Sequence, residues 1–331
     1  MTALTVAAVG VHVLDVHVRG ATAIPEGSVG SLVDSIGMSP AGTAAGTAVV
    51  FSRLGATVRT FGAVGADALG LTLLSLLNTE GVDTAGVVRE PTAQTSASVI
   101  PIRSNGDRPA WHCVGANGHH KLDQIDQIDQ MVAPDVTHLH LGGPEFYGGP
   151  AAATLLGAAK ARGITTSVDI LAGGDPGLLA WIADALPHVD YLLPNDEQIR
   201  GFTGVVDLTA AARQFLDRGV GCVALTCGGD GALVVTDRDT VEVPAFAIDV
   251  VDTTGCGDAF SAGFLTGRAE GLGLGESATL GCAVAAHVAQ GIGTTAGDYD
   301  LARIREYAGI TATGAEIATT RRDAASGRAG W

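Results

Sequence analysis

Residues 252–263 read Asp252-Thr253-Thr254-Gly255-Cys256-Gly257-Asp258-Ala259-Phe260-Ser261-Ala262-Gly263. The β-prone run Ala247–Val251 precedes them and an apolar run follows. The stretch therefore reads as a strand, a glycine turn and the opening of a helix over Asp258–Ala269. Gly255 and Gly257 let the backbone approach a ligand with its N–H groups exposed. A helix N-terminus adds partial positive charge without any basic side chain. Together these features describe an anion hole. Asp258, in the first turn, would stand beside the bound anion, a sensible place for a carboxylate that takes the proton of an attacking hydroxyl. The competing reading is a tight turn with Asp258 as a helix cap, and the spacing alone leaves both open. A dinucleotide fingerprint fails, because its third glycine would fall at Phe260.

On either side of this segment, short β-like runs alternate with helix-like ones. Leu4–Val9, Val58–Phe61, Thr137–Leu141, Ile164–Ile170, Tyr191–Leu193 and Gly221–Thr226 read as buried strands. Thr43–Leu54, Asp67–Glu80, residues 151–162, Leu178–Ala185 and Glu276–Gln290 read as helices, and Ala232–Thr236 with Val241–Val243 as a hairpin. Near-continuous apolar strands between helices predict an α/β fold with a mostly parallel sheet covered on both faces. Residues 11–38 and 94–115 break the rhythm. Their apolar and polar positions alternate, with turns at Pro25-Glu26-Gly27 and Ser104-Asn105-Gly106-Asp107. They predict one small separate sheet with a wet face, a lid over the carboxyl ends of the main strands, where open α/β sheets bind ligands. One domain over 1–310 follows, with a flexible tail over 311–331.

The chain has 331 residues and a formal charge of −16, with 47 glycines. Lysine occurs only as Lys121 and Lys160, and no Gly-Lys dipeptide exists, which excludes a P-loop. So acidic a chain is a poor partner for nucleic acid or an anionic membrane. The N-terminal apolar run is broken by His12, Asp15 and His17, so it reads as a strand rather than a signal peptide or membrane span. Five scattered cysteines without a C-x-x-C favour free thiols in the cytoplasm. The histidines show no metalloenzyme spacing.

The segment Asp252–Gly263 resembles the C-terminal signature of the ribokinase-like (PfkB) carbohydrate kinases. Other landmarks are similar to that family in order: Leu54-Gly55-Ala56 with Gly62-Ala63-Val64-Gly65-Ala66-Asp67-Ala68-Leu69-Gly70, Gly81-Val82-Asp83-Thr84, Gly115-Ala116-Asn117, Leu193-Pro194-Asn195 and Thr226-Cys227-Gly228-Gly229-Asp230-Gly231. The resemblance covers residues 4–310. It implies a parallel α/β domain with a small β lid, and Mg-ATP as donor to an alcohol. Asp258 would be the base, and the amides of Gly255, Cys256 and Gly257 the anion hole. Asn195 would lie near the phosphates and Mg²⁺, and Thr226, Gly228 and Gly231 would line the nucleotide cleft. Asp15, Gly42, Thr43, Gly46 and Asn117 correspond to acceptor-side positions. Asp252 and Thr254 match positions that bind a monovalent cation, K⁺, in several members. Trp111 and His112, on the lid, would stack on or hydrogen-bond an acceptor, with edge-strand packing as the alternative.

Two departures matter. The early G-G-x-x-x-N pattern reads Ala41-Gly42-Thr43-Ala44-Ala45-Gly46, so Gly46 replaces the asparagine that touches acceptor hydroxyls. The N-x-x-E pattern reads Asn195-Asp196-Glu197-Gln198, which shifts any Mg²⁺ carboxylate to Asp196 or Glu197. The reading that emerges is ATP-dependent phosphorylation of a hydroxyl, a primary one, on an unphosphorylated sugar or sugar-like alcohol. A phosphorylated acceptor would need basic partners and is disfavoured by two lysines in total, although Arg53, Arg103 and Arg108 keep it open. A nucleoside acceptor and a non-catalytic binding protein are the alternatives. Lid sheets with exposed edges pair readily, so a homodimer through the lid is expected.

Overall fold

The computed structural model describes residues 4–103, 108–122 and 125–310; the predicted turn at Ser104–Asp107 and the tail from Thr311 lie outside the described residues. The strands are β1 (Thr5–Gly10), β2 (Val13–Arg19), β3 (Ser35–Ala41), β4 (Thr57–Gly65), β5 (Asp83–Glu90), β6 (Ala97–Ile102), β7 (Trp111–Cys113), β8 (His138–Gly142), β9 (Thr165–Asp169), β10 (Tyr191–Leu192), β11 (Cys222–Thr226), β12 (Ala232–Val235) and β13 (Thr240–Val243). The helices are α1 (Ala45–Arg53), α2 (Ala68–Thr79), α3 (Ile125–Met131), α4 (Gly149–Ala161), α5 (Pro176–Ile182), α6 (Asp196–Thr203), α7 (Leu208–Leu216), α8 (Cys256–Ala269), α9 (Leu274–Val288) and α10 (Leu301–Ala308).

Among the described residues the main sheet runs β13-β12-β11-β10-β9-β8-β1-β4-β5, parallel from β5 to β11, with β12 and β13 as an antiparallel edge. Its two faces carry separate apolar cores. One holds Val6, Ala8, Phe51, Leu73, Phe260 and Phe264; the other holds Ala7, Val9, Leu139, Leu155, Phe202 and Phe215. Neighbouring residues of β1 thus feed opposite cores, which is why its sequence is apolar throughout. The doubly covered sheet brings the ends of β1, β8, β9, β10 and β11 to one rim, the ligand-binding crevice of open α/β sheets.

The second sheet has the order β3-β2-β6-β7. Paired strands place Asp15, Ser39, Ser98 and His112 on one face, and Val16, Met38, Val99 and Trp111 on the other. The base of this sheet is tied to the main one at two points. Asp67, the N-cap of α2, accepts from Gly70 N (2.8 Å), Thr95 N (2.8 Å) and Thr95 Oγ1 (2.6 Å). Asn117 brackets the turn between β1 and β2: its Oδ1 accepts from His12 N (3.0 Å) and its Nδ2 donates to His12 O (2.9 Å).

Two local expectations are corrected. Ala247–Val251 is not a strand; residues 244–253 are an irregular loop, because their apolar side chains line a cavity instead of joining the sheet. The landmark Gly81–Thr84 leads into an edge strand that the sequence reading does not include, β5 over Asp83–Glu90. Its half-exposed pattern hides the apolar run that marks a buried strand.

Helix α8 is positioned by backbone contact with α9. A Cβ on Gly281 would lie 2.8 Å from Phe260 O, and one on Gly263 would lie 2.9 Å from Gly281 Cα. Gly281→Ala should therefore part the two helices and cost about 1–3 kcal/mol, the usual range for overpacking. Thermal unfolding would show a lowered midpoint; an unchanged midpoint would mean that this contact does not position α8.

Candidate active site

Asp258 lies in the first turn of α8, partly buried, and leans onto the start of α1. Thr47 Oγ1 stands 3.1 Å from Asp258 Oδ1 and 2.9 Å from Thr43 O, so its single proton has two acceptors to choose between. Thr43 O already receives His140 Nε2 at 2.9 Å. His140 is buried and its pKa falls to about 4. The neutral ring satisfies Thr43 O by itself, which leaves the Thr47 hydroxyl for the carboxylate. Burial pushes the Asp258 pKa up to about 7; the Thr47 hydrogen bond opposes that rise and the Asp15 charge adds to it.

Gly46 explains the missing asparagine. A methyl group there would lie 2.9 Å from Asp258 Cγ and closer still to Oδ2. The family's asparagine and this placement of the base are mutually exclusive. Gly255 precedes α8 in the left-handed region (φ 78°) and a Cβ on it would meet Thr294 at 2.5 Å, so the turn needs glycine. No atom lies within 4 Å of the space a Gly257 side chain would take, which leaves the start of α8 open to a ligand.

On the acceptor side, Asp15 is buried and hydrogen-bonded to Ser98, which also bonds His112 Nδ1 at 2.8 Å. Burial raises the Asp15 pKa; Ser98, His17 and His112 oppose the rise, and Asp252 adds to it. Asp169, at the end of β9, is raised well above the ordinary carboxylate range by burial and by the charges of Asp258 and Glu145. The pocket is thus crowded with hydrogen-bond acceptors. Thr43 Oγ1, Thr294 Oγ1 and His17 Nδ1 are buried without a hydrogen-bond partner. Gly42, at the end of β3, has its path closed by Val11 O, so it contributes backbone only.

A cavity of about 220 Å³ is lined by Thr226, Gly228 and Gly231, by Phe246 and Val250 of the irregular loop, and by Cys256 and Gly257 at the start of α8. Asn195 caps α6 by accepting Gln198 N (2.7 Å) and forms a β-bridge with Thr226, which brings it to the same crevice.

Several expected residues do other work. Asn117 holds the β1–β2 turn through both ends of its amide, as described above. Trp111 is on the apolar face of the small sheet, opposite Asp15, so it does not stack on an acceptor held there. Gln198 donates from Nε2 to Ile170 O (2.7 Å) and Ala172 O (3.1 Å), bonds that an ionised glutamate could not donate. Asp196 pairs with Arg200 and Glu197 is exposed. Burial pushes the Cys256 thiol up to about 12, so it stays protonated; it lies 3.6 Å from Ala285 O. All five cysteines are free, with Cys222 and Cys282 buried and Cys227 half-buried. His12, His138 and His140 are hydrogen-bonded in the interior, with pKa values depressed to about 4, 3 and 4. Among the described residues no group of three or more His, Cys, Asp or Glu side chains could hold a metal ion.

The side chains of Asp252 and Thr254 do not fit a monovalent cation. Asp252 Oδ1 accepts from Thr254 N (2.9 Å) and Thr254 Oγ1 (2.8 Å), and Oδ2 accepts from Gly293 N (2.9 Å). Arg108 Nη1 donates to Thr254 Oγ1 at 2.8 Å and stands 3.9 Å from Asp252 Oδ1, so a cation of the protein is already there. Thr47 and Thr294 carry no sequence reading, and Arg108 carries one only as a partner for an acceptor phosphate. Thr47 alone left a signal, one position after the missing asparagine.

The glycine turn at 255–257, a carboxylate poised near neutrality and an apolar cavity thus stand together at the start of α8. The sequence model of the pfkB family carbohydrate kinases matches residues 6–300. The ribokinase of Haemophilus influenzae is 27% identical over 252 residues, covering 74% of this chain and 79% of that protein. A sugar kinase of Archaeoglobus fulgidus is 30% identical over 252 residues, 74% of this chain and 96% of its own length. The crystal structure of a ribokinase II from E. coli in complex with ATP and Mg²⁺ superposes with a TM-score of 0.77 at 21% identity, covering 92% of this chain and 98% of that one. The chain belongs to the pfkB family carbohydrate kinases, ATP-dependent kinases of sugar-like substrates.

Thr47→Val removes the hydroxyl at nearly constant volume and should raise the Asp258 pKa. Turnover at pH 6 should fall roughly tenfold, as expected for a hydrogen bond to a charged group, and by less at pH 8, with Thr47→Ser restoring the profile. An equal loss at both pH values would mean that Thr47 does not tune the base.

Proposed function

We propose that this kinase transfers the γ-phosphoryl group of ATP to a primary hydroxyl of an unphosphorylated sugar or sugar-like alcohol, with Asp258 as general base. The carrying observation is Asp258 itself, a carboxylate poised at about 7 at the open start of α8. Asp258 takes the proton of the acceptor hydroxyl, the acceptor oxygen bonds to phosphorus, and the bond to the ADP leaving oxygen breaks. The amides of Gly255, Cys256 and Gly257 stabilise charge on the group in flight. A base with a pKa near neutrality is ionised at working pH yet basic enough to accept the proton.

The acceptor would lie between Asp15 and Asp258, with Gly42, Thr43 and Gly46 forming its floor. Carboxylates and unpartnered hydroxyls suit a donor of many hydroxyl protons and repel a phosphate already on the substrate. Arg53 offers no phosphate site, because it is bound to Glu80 and to Gly297 O; Arg108, bonded to Thr254, stands beside the glycine turn. A nucleoside acceptor loses its stacking partner, since Trp111 faces away. Mg²⁺ would arrive on the ATP phosphates with mostly water ligands. Asn195, bridged to Thr226 at the crevice, and the exposed Glu197 would be the residues to meet it, and the ion would supply charge neutralisation on the phosphates.

The exposed apolar face of the small sheet, with Ile36 at 66% and Trp111 at 54% exposure, suits a second copy of the chain. Five free thiols agree with a reducing, cytoplasmic setting. No helix among the described residues is long and apolar enough to cross a membrane.

Asp258→Asn tests the reading. An ADP-release assay over a panel of sugars and nucleosides should find turnover in the wild type and at least a 10³-fold loss in the variant, with ATP affinity retained. Stability supplies a second readout. The folded-state pKa of Asp258 lies above its ordinary 3.8, so the folded protein holds more protons than the unfolded chain between those values, and stability falls as pH rises through that window. Asp258→Asn should therefore melt higher than wild type at pH 8. Unaltered turnover would overturn the assignment.

A further inference from the structure

Arg108 precedes β7 of the small sheet in sequence, yet it bonds into the anion loop of the main domain. We propose that Arg108 is a catalytic residue, a guanidinium delivered by the small sheet to the phosphoryl group in transfer. This rests on the reading that residues 255–257 hold that group.

Both lysines are elsewhere: Lys160 pairs with Asp190, and Lys121 follows the 3₁₀ turn at Gly115–Gly118. Arg53 is bound to Glu80. Arg108 bonds to Thr254 and stands 3.9 Å from Asp252, and its field extends to Cys256, whose thiol pKa it lowers against the effect of burial. Thr254 Oγ1 accepts from Arg108 and donates to Asp252, so the hydroxyl relays between cation and anion. Asp252 does not neutralise the guanidinium by close contact: at 3.9 Å the two are at the limit of an ion pair, and backbone N–H groups and the Thr254 hydroxyl occupy the carboxylate oxygens. Thr254 uses one donor of a planar fork that carries five. The side chain is 40% exposed and therefore reachable from the crevice. As the acceptor oxygen bonds to phosphorus and ADP departs, charge spreads over the three equatorial oxygens, which a planar, permanently charged donor set stabilises.

The test compares wild type, Arg108→Ala and Arg108→Lys. With the best acceptor of the panel, Arg108→Ala should lower kcat about 10²–10³-fold, the loss typical of removing one donor to a developing charge, with the KM for ATP changed less than threefold; Arg108→Lys should keep part of the rate. Calorimetry with ADP alone, and with ADP plus aluminium and fluoride as a mimic of the phosphoryl in flight, gives a readout that needs no acceptor. The mimic should tighten ADP binding in wild type and fail to do so in Arg108→Ala. A kcat within threefold of wild type, or equal tightening in both proteins, would overturn the proposal. A lowered melting temperature with normal kcat would reduce Arg108 to a latch. An active Asp258→Asn would instead overturn the underlying reading, so the two failures are distinct.

Discussion

One partly buried carboxylate governs the rest of the active site. Asp258 sits where a helix N-terminus favours its charge and where removal from water opposes it, and burial wins, since its pKa rises to about 7. That balance needs a niche of defined shape. Gly46 provides it by lacking a side chain, Thr47 holds one oxygen, and His140 frees Thr47 by satisfying Thr43 O. Gly255 turns the chain into α8, and the Gly263–Gly281 crossing fixes where α8 lies. Each element is unremarkable alone; together they hold a carboxylate that is costly to ionise, and part of that cost comes from its neighbour Asp15.

The same constraint reconciles a charge of −16 with phosphate chemistry. The anion loop uses backbone N–H groups and a helix terminus, which need no lysine. The abundant glycines serve this loop only in part. Gly263 and Gly281 serve helix contact, and Gly46 serves the base. The buried carboxylates Asp15, Asp169 and Asp258 suit a ligand rich in hydroxyl donors, while Arg108 brings positive charge to Thr254 beside the glycine turn.

Most of the architecture was legible because it is written in local patterns. Buried strands are apolar at every position, helices repeat near 3.6, and Gly-x-Gly-Asp opens a helix. What was not legible depends on geometry between distant segments. Asn117 follows a family motif, and both ends of its amide bond to the backbone of His12, 105 residues earlier. Trp111 and His112 are neighbours in sequence and point to opposite faces, so only strand register reveals which of them meets the site. Gln198 looked like a lost metal ligand; its two donated bonds to Ile170 O and Ala172 O give it a separate structural reason. The loop before Asp252 had the composition of a strand and became the wall of the nucleotide cavity.

The most direct measurement of the central claim is the pH dependence of kcat for the wild-type enzyme with saturating ATP and acceptor. A buried base predicts a rate that climbs tenfold per pH unit below an inflection near 7 and levels above it. A rate flat from pH 5.5 to 8 would contradict it.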